Sequence, residues 1–173
     1  EKLSLMLRYI ADYSNDYVSL QNEIDYMRYY LDLMKERYAD YFNYEIYECE
    51  GLKDLRVPRI TLQPLTENCF KHGFKSSRPP YFIEVTFARN GDAWSVQVRD
   101  NGGGIIQPEI DRIYHRINDS LDDLPGNYSE LRLNGMGLTN TVLRLKLMQR
   151  GNIDFDISNA QGGGTIVTIG GRL

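Results

Sequence analysis

Cysteine is scarce here: only Cys49 and Cys69 occur in the 173 residues, far apart and without metal-ligand spacing. That removes a disulfide framework and a cysteine-held metal as organising devices, and it points to a reducing, cytoplasmic setting. No apolar run is long enough to span a bilayer, and no signal peptide is present. A basic excess is also lacking. The net charge of −4 argues against nucleic acid as a partner, because phosphate backbones attract clustered Lys and Arg. Histidine is limited to His72 and His115. Internal repeats and low-complexity tracts are absent. What remains has the size of one ordinary globular domain with a helical appendage. The chain opens at Glu1 without Met and already in helical pattern, so it reads as a piece of a longer protein, and any membrane anchor upstream would lie outside it.

Residues 1 to about 43 read as helix with a short break at Asn15-Asp16. Leu20, Ile24, Met27, Leu31, Met34 and Tyr38 alternate spacings of four and three, which suits either a bundle or coiled-coil seam or a helix packed on its own domain. Tyr44 to Glu50 then reads as a strand and Gly51 to Pro58 as a loop. A helix runs to about His72 and is stopped by Gly73 in the usual C-terminal position. Phe82 to Ala88 and Trp94 to Arg99 alternate as strands joined at Asn90-Gly91-Asp92. A helix is predicted from Pro108 to Asn118, a mobile polar segment from Ser120 to Asn134, and a helix from Leu138 to Arg150. Ile153 to Ser158 and Thr165 to Ile169 would form a closing hairpin across Gly162-Gly163-Gly164.

Three polar-plus-glycine clusters punctuate this order. In Glu67-Asn68-Cys69-Phe70-Lys71-His72-Gly73, residues Asn68, Lys71 and His72 are three and four apart and share one helical face. An Asn amide oxygen is a hard ligand suited to Mg²⁺, and a Lys supplies a compact charge for phosphate. Alone, the same pattern describes a helix with a solvated face. Asp100-Asn101-Gly102-Gly103-Gly104 ends a strand. A carboxylate there can accept the exocyclic amine of adenine and would oppose the oxygen of guanine, although an Asx-type turn has the same residues. Asn134-Gly135-Met136-Gly137-Leu138 opens a helix whose N-terminal N–H groups suit phosphate. It is neither a Rossmann fingerprint nor a P-loop.

In this order the clusters resemble the N, G1 and G2 boxes of the family that unites histidine kinases with gyrase, Hsp90 and MutL ATPases. Gly162-Gly163-Gly164-Thr165 is similar to that fold's last motif. Leu62-Gln63-Pro64-Leu65-Thr66-Glu67-Asn68-Cys69-Phe70-Lys71-His72-Gly73 resembles the LQPLxENxxKHG pattern of LytS/YesM-like sensor kinases, and Gly135 to Asn140 with Arg144-Leu145 resembles their second glycine box. The stem agrees through Leu7-Arg8-Tyr9, Val18-Ser19-Leu20 with Glu23, Tyr30-Leu31 and Glu36-Arg37-Tyr38.

The resemblance implies an α+β fold: a two-layer sandwich of the GHKL (Bergerat) type, with a mixed sheet, helices on one face and a preceding helical stem. Residues 1–43 would be the C-terminal part of a dimerisation stem and 44–173 the catalytic ATP-binding domain. It implies ATP and Mg²⁺ as cofactors. Asn68 would hold the metal, with Lys71 and His72 at the phosphates, Asp100 and Thr165 at adenine, and Gly102, Gly104, Ile105, Gly135, Met136, Gly137 and Leu138 around the nucleotide. Family members that hydrolyse ATP carry a Glu four residues before this Asn; here that position is Pro64, which favours phosphoryl transfer. Glu67 beside Asn68 is the remaining catalytic candidate, or an organiser of Asn68 and Lys71. Arg132, in the Ser120–Asn134 lid, reads as a solvated arginine. The family's acceptor His, in a Pro-His-Phe context, is absent, and His115 reads as surface. The implied partners are a response regulator and a second copy through the stem, with a membrane reached only through upstream segments. The implied location is the cytoplasmic side of a bacterial cell membrane. Two rival readings are a degenerate nucleotide-binding signalling module and an ATPase or anti-sigma-type serine kinase of the same family.

Overall fold

The computed structural model describes residues 2–12, 15–122, 137–148 and 152–173. Helix α1 (Lys2–Ala11) is followed by strand β1 (Tyr17–Ser19) and helix α2 (Leu20–Tyr38). Strands β2 (Phe42–Tyr47) and β3 (Arg56–Pro58) precede helix α3 (Gln63–Asn68), which continues as a wider π turn over Cys69–Gly73. The hairpin β4 (Tyr81–Asn90) and β5 (Ala93–Asp100) comes next, then helices α4 (Gln107–Asp122) and α5 (Leu138–Met148) and the hairpin β6 (Ile153–Asn159) and β7 (Thr165–Arg172).

The main sheet has the order β2-β4-β5-β7-β6, with β2 parallel to β4 and the other pairs antiparallel. Along β5, Trp94, Val96, Val98 and Asp100 are buried while the residues between them are not. Such period-two alternation follows when one face of a sheet carries helices and the other meets solvent. The expected mixed sheet with helices on one face is therefore present.

The stripe on α2 resolves an ambiguity left by periodicity. Leu20, Ile24, Met27 and Leu31 are buried in the same core as Leu52, Val57, Leu62 and Leu65, so this helix packs on the domain that follows it. Ser19 caps it, its hydroxyl accepting the Asn22 N–H at 3.2 Å. Tyr30 and Tyr38 of the stem pack against the core. Tyr38 stacks on Phe70 at 5.6 Å, and Phe70 meets Phe42 edge-on at 4.9 Å, which braces the π turn from behind.

Four expectations change. The break in the stem is wider than Asn15-Asp16 and contains β1, which pairs antiparallel with β3 and sets Val18 opposite Val57. The segment Gly51 to Pro58 therefore holds a strand rather than only a loop; three-residue strands carry too little pattern to be read locally. Gly73 is not a helix stop in the left-handed region: the chain continues in the π turn, and a different demand, described below, selects glycine there. Helix α4 runs to Asp122, so the expected lid begins as helix. The rest of that segment, with Arg132, Gly135 and Met136, and the expected end of the last helix at Arg150 lie outside the described residues.

Candidate functional site

A cleft of 810 Å³ opens between α3, α4 and α5 over the sheet. Asn68, His72, Asp100, Gly104, Ile105, Gly137, Leu138 and Thr165, all singled out from sequence, line it. Residues that the sequence reading passed over line it too: Leu65, Val98, Ile157 and Val167 supply apolar wall, while Ile106, Glu109, Ile113 and Arg116 come from α4 and its approach. Their spacings of three, four and three mark one helical face, a signal present in the sequence once a helix beside a pocket is assumed. Two smaller hollows, 390 Å³ around Ser95 and Asp156 and 540 Å³ between α1 and α2, contain none of the three clusters.

Asp100 is 4% exposed at the cleft. Its Oδ1 accepts the N–H of Gly102 at 2.8 Å and of Thr165 at 3.2 Å. Burial raises its pKa above the ordinary carboxylate value; those N–H groups, the Cys69 thiol and the Thr165 hydroxyl offset part of that rise. The Cys69 thiol is buried against it and is itself pushed well above the usual thiol range, by burial first and by Asp100 second.

Glycines make this arrangement possible by close approach. A Cβ on Gly73 would lie 2.9 Å from the Asp100 carboxyl, and one on Gly102 would lie 2.1 Å from the Gly73 carbonyl oxygen. Gly164, at φ +92°, would put a Cβ 1.8 Å from the Asp100 carbonyl oxygen. Three loops distant in sequence thus converge backbone to backbone around one carboxylate. The hydrogen bond from Gly103 N–H to the Gly73 carbonyl, 2.8 Å, ties two of them together.

Two asparagines hold the glycine loop without having been expected to. Asn101 accepts the Phe82 N–H at 2.7 Å and donates to the Pro80 carbonyl at 2.9 Å. Asn159 accepts the Ile105 N–H at 2.8 Å and donates to the Ile105 carbonyl at 2.9 Å, which mimics a strand pairing. Nothing local in sequence reports either contact.

Glu67 and Lys71 lie outside the cleft lining and face each other. The Lys71 ammonium is 2.6 Å from Glu67 Oε2, and Gln63 donates to Glu67 Oε1 at 2.8 Å. Gly102 sits behind Asp100, and His115 is exposed. Among the described residues, no group of three or more His, Cys, Asp or Glu side chains is placed to hold a metal ion. Among them, too, no helix is long and apolar enough to cross a membrane.

The five-stranded sheet thus carries helices on one face, and the cleft between those helices has a buried carboxylate in its wall. The chain belongs to the family of histidine kinase-, DNA gyrase B- and HSP90-like ATPases, whose profile matches residues 54–171, and a histidine kinase profile matches residues 1–42. It is 30% identical over 139 residues to the sensor protein LytS of Staphylococcus epidermidis, covering 79% of this chain and 24% of that protein. It is 26% identical over 170 residues to the sensor protein kinase HptS of Staphylococcus aureus, covering 89% of this chain and 32% of that one. The chain thus spans a third or less of the length of these relatives. In fold it is similar to the nucleotide-free catalytic domain of histidine kinase ThkA, with a TM-score of 0.55 at 15% identity, covering 90% of this chain and 93% of that one. It is similar also to the mycobacterial sensor histidine kinase MprB, with a TM-score of 0.54 at 17% identity, covering 90% and 95%.

Proposed function

We propose that this chain is the ATP-binding catalytic part of a two-component sensor histidine kinase. In this reading the γ-phosphoryl of ATP passes to a histidine on a helix upstream of Glu1, and from there to an aspartate of a response regulator. Residues 1–43 act as the end of the dimerisation stem and 44–173 as the catalytic domain. The relatives' designations as sensor protein and sensor protein kinase support a signalling role, and the reading includes a response-regulator partner, a dimer and a membrane anchor in the full-length protein.

The observation that carries the reading is Asp100. Its Oδ1 is occupied by two backbone N–H groups, so the side chain is held in one orientation at the cleft. A carboxylate so placed accepts the exocyclic amine of adenine and rejects guanine, whose oxygen would face it like against like. Gly104 and Ile105 offer backbone and an apolar side chain to the purine. Gly137, at the start of α5, presents a helix N-terminus to phosphate.

Asn68 fits Mg²⁺ as a single hard oxygen on the cleft wall, which suffices for an ion that keeps its waters and leans on substrate phosphates. Bound there, the ion would neutralise charge on the transferring phosphoryl. His72 lines the same wall, and this reading assigns the phosphates also to Lys71, which is paired with Glu67 one helical turn away. Pro64, buried at the start of α3, removes the base that would activate water, which favours transfer over hydrolysis. In the transfer the bond from γ-phosphorus to the β–γ bridging oxygen breaks, a phosphorus–nitrogen bond forms on the acceptor imidazole, and ADP departs.

The test is calorimetric titration of ADP·Mg²⁺ and GDP·Mg²⁺ into the wild type and Asp100→Asn. The expected result is binding of ADP alone, abolished by the substitution. Transfer of label from ATP to a supplied histidine-bearing stem, as an acid-labile phosphoamino acid, then separates this reading from a serine kinase. A wild type that binds neither nucleotide would establish the degenerate-module alternative.

A further inference from the structure

Outside the cleft, among the described residues, one charged side chain has no exposed surface at all: Glu23, on α2. Its two oxygens meet four donors. Oε1 accepts the Tyr9 hydroxyl at 2.5 Å and the Ile60 N–H at 2.7 Å, and Oε2 accepts the N–H groups of Thr61 at 2.6 Å and Leu62 at 3.0 Å. Residues 60–62 lead straight into α3, which carries Asn68, Cys69 and His72 to the cleft wall.

The carbonyls of the same segment are held from the opposite side. Arg144, on α5, donates to the Arg59 and Ile60 carbonyls at 2.7 Å each. Helix α5 begins at Leu138, on the other wall of the cleft. The Arg59 side chain turns instead to the stem. It donates to the Tyr9 carbonyl at 2.8 Å, pairs with Asp12 at 3.1 Å, and sets its guanidinium 4.5 Å from the centre of the Tyr9 ring. Ile60 sits at φ +58°, a conformation a β-branched residue keeps only where its surroundings over-determine it.

From this arrangement we infer that Glu23 and Arg144 are positioning residues: together they clamp segment 59–62, set the separation of the α3 and α5 walls of the nucleotide cleft, and pass the placement of α1 to that cleft through Tyr9. The inference rests on the ATP-binding reading above. The physical basis is that a buried carboxylate satisfies three consecutive N–H groups only from one position, and a guanidinium fork bridges two consecutive carbonyls only from one position. The segment therefore has no freedom to slide. Any displacement of α1 that pulls the Tyr9 hydroxyl or Arg59 acts on the residue pair that opens α3. An arrangement that served stability alone would not need to join the stem helix to both walls.

The test uses the whole chain and calorimetric titration with ADP·Mg²⁺, alongside thermal melts that confirm each variant is folded at the titration temperature. Glu23→Gln and Arg144→Lys are each expected to weaken ADP binding by about tenfold, and the double variant by no more than the weaker-binding single, because both act through one clamp. Tyr9→Phe removes one hydroxyl at the stem end and is expected to weaken binding about threefold. If Glu23→Gln does not fold, Tyr9→Phe and Arg144→Lys form the same cycle. Folded variants with lowered melting temperature and unmoved ADP affinity would overturn the inference and leave the cluster purely structural. Losses that multiply in the double variant would overturn it as a single device. Failure of the wild type to bind ADP would instead bring down the nucleotide reading itself, and the clamp with it.

Discussion

Thr165 donates its backbone N–H to Oδ1 of Asp100 at 3.2 Å, across 65 residues of chain, and so the last strand of the sheet orients the carboxylate that faces the cleft. The same Oδ1 also accepts from Gly102. An asparagine at this position keeps an acceptor oxygen for both N–H groups, loses the charge and replaces the second acceptor oxygen with an NH2 donor.

That difference has a definite pH signature. Burial raises the pKa of Asp100 in the folded state above its ordinary value of 3.8. A raised folded pKa means stability that is present below the ordinary value and is lost as pH rises through the folded one. Asp100→Asn has no such loss. Its melting temperature is expected to match the wild type near pH 4 and to meet or exceed it at neutral pH, while ADP binding disappears. Calorimetric melts across that range check it, and a variant less stable than wild type at pH 7 would contradict it.

Two glycines of the site should respond in opposite ways to alanine. Gly164→Ala forces a Cβ within 1.8 Å of the Asp100 carbonyl oxygen at φ +92°, so it is expected to cost about 3 kcal/mol or more. Gly137 has no heavy atom within 4 Å of a built Cβ among the described residues. Gly137→Ala is expected to leave denaturant stability within about 0.5 kcal/mol of wild type. A drop in ADP affinity in that stable variant would show that phosphate approaches the Gly137 backbone.

The cysteines offer a chemical readout of the cleft. Cys69 is buried with its thiol pKa raised, whereas Cys49 is partly exposed. Reaction with a disulfide reagent at pH 8 is expected to modify one thiol quickly and the other only at the rate of local opening. Saturating ADP·Mg²⁺ is expected to slow the second phase, because Cys69 lines the cleft. Two equal fast phases would show that the cleft opens readily without nucleotide.

The stem stripe is testable as core. Leu31 is fully buried among residues of the domain that follows it. Leu31→Ala is expected to lower the unfolding free energy by about 2–5 kcal/mol, measured by urea denaturation. A change near zero would place α2 outside the cooperative unit.

Much of the site is legible along the chain because its chemistry is local. Asn68 and His72 share a helical face by spacing alone, Asp100 ends an alternating strand, and Gly137 precedes an apolar helix. Such patterns follow from the 3.6 and 2.0 periods of the backbone and from what a helix N-terminus leaves unpaired. Composition, charge and motif order likewise determined the α+β class and the family resemblance.

Other features were decided only when distant segments met. Glu23, between Leu20 and Ile24, reads as one charge on an amphipathic helix. It becomes a buried anchor because the N–H groups of residues 60–62, some 40 positions away, need acceptors there. Gly73 reads as a helix stop, yet glycine is required because the Asp100 carboxyl leaves no room for a Cβ. Lys71 and Glu67 are spaced for an ion pair as well as for a ligand face, and the two side chains meet at 2.6 Å. Close approach and the satisfaction of buried polar groups are properties of the assembled chain. Sequence periodicity says which face a residue occupies, and tertiary packing says what that face will find.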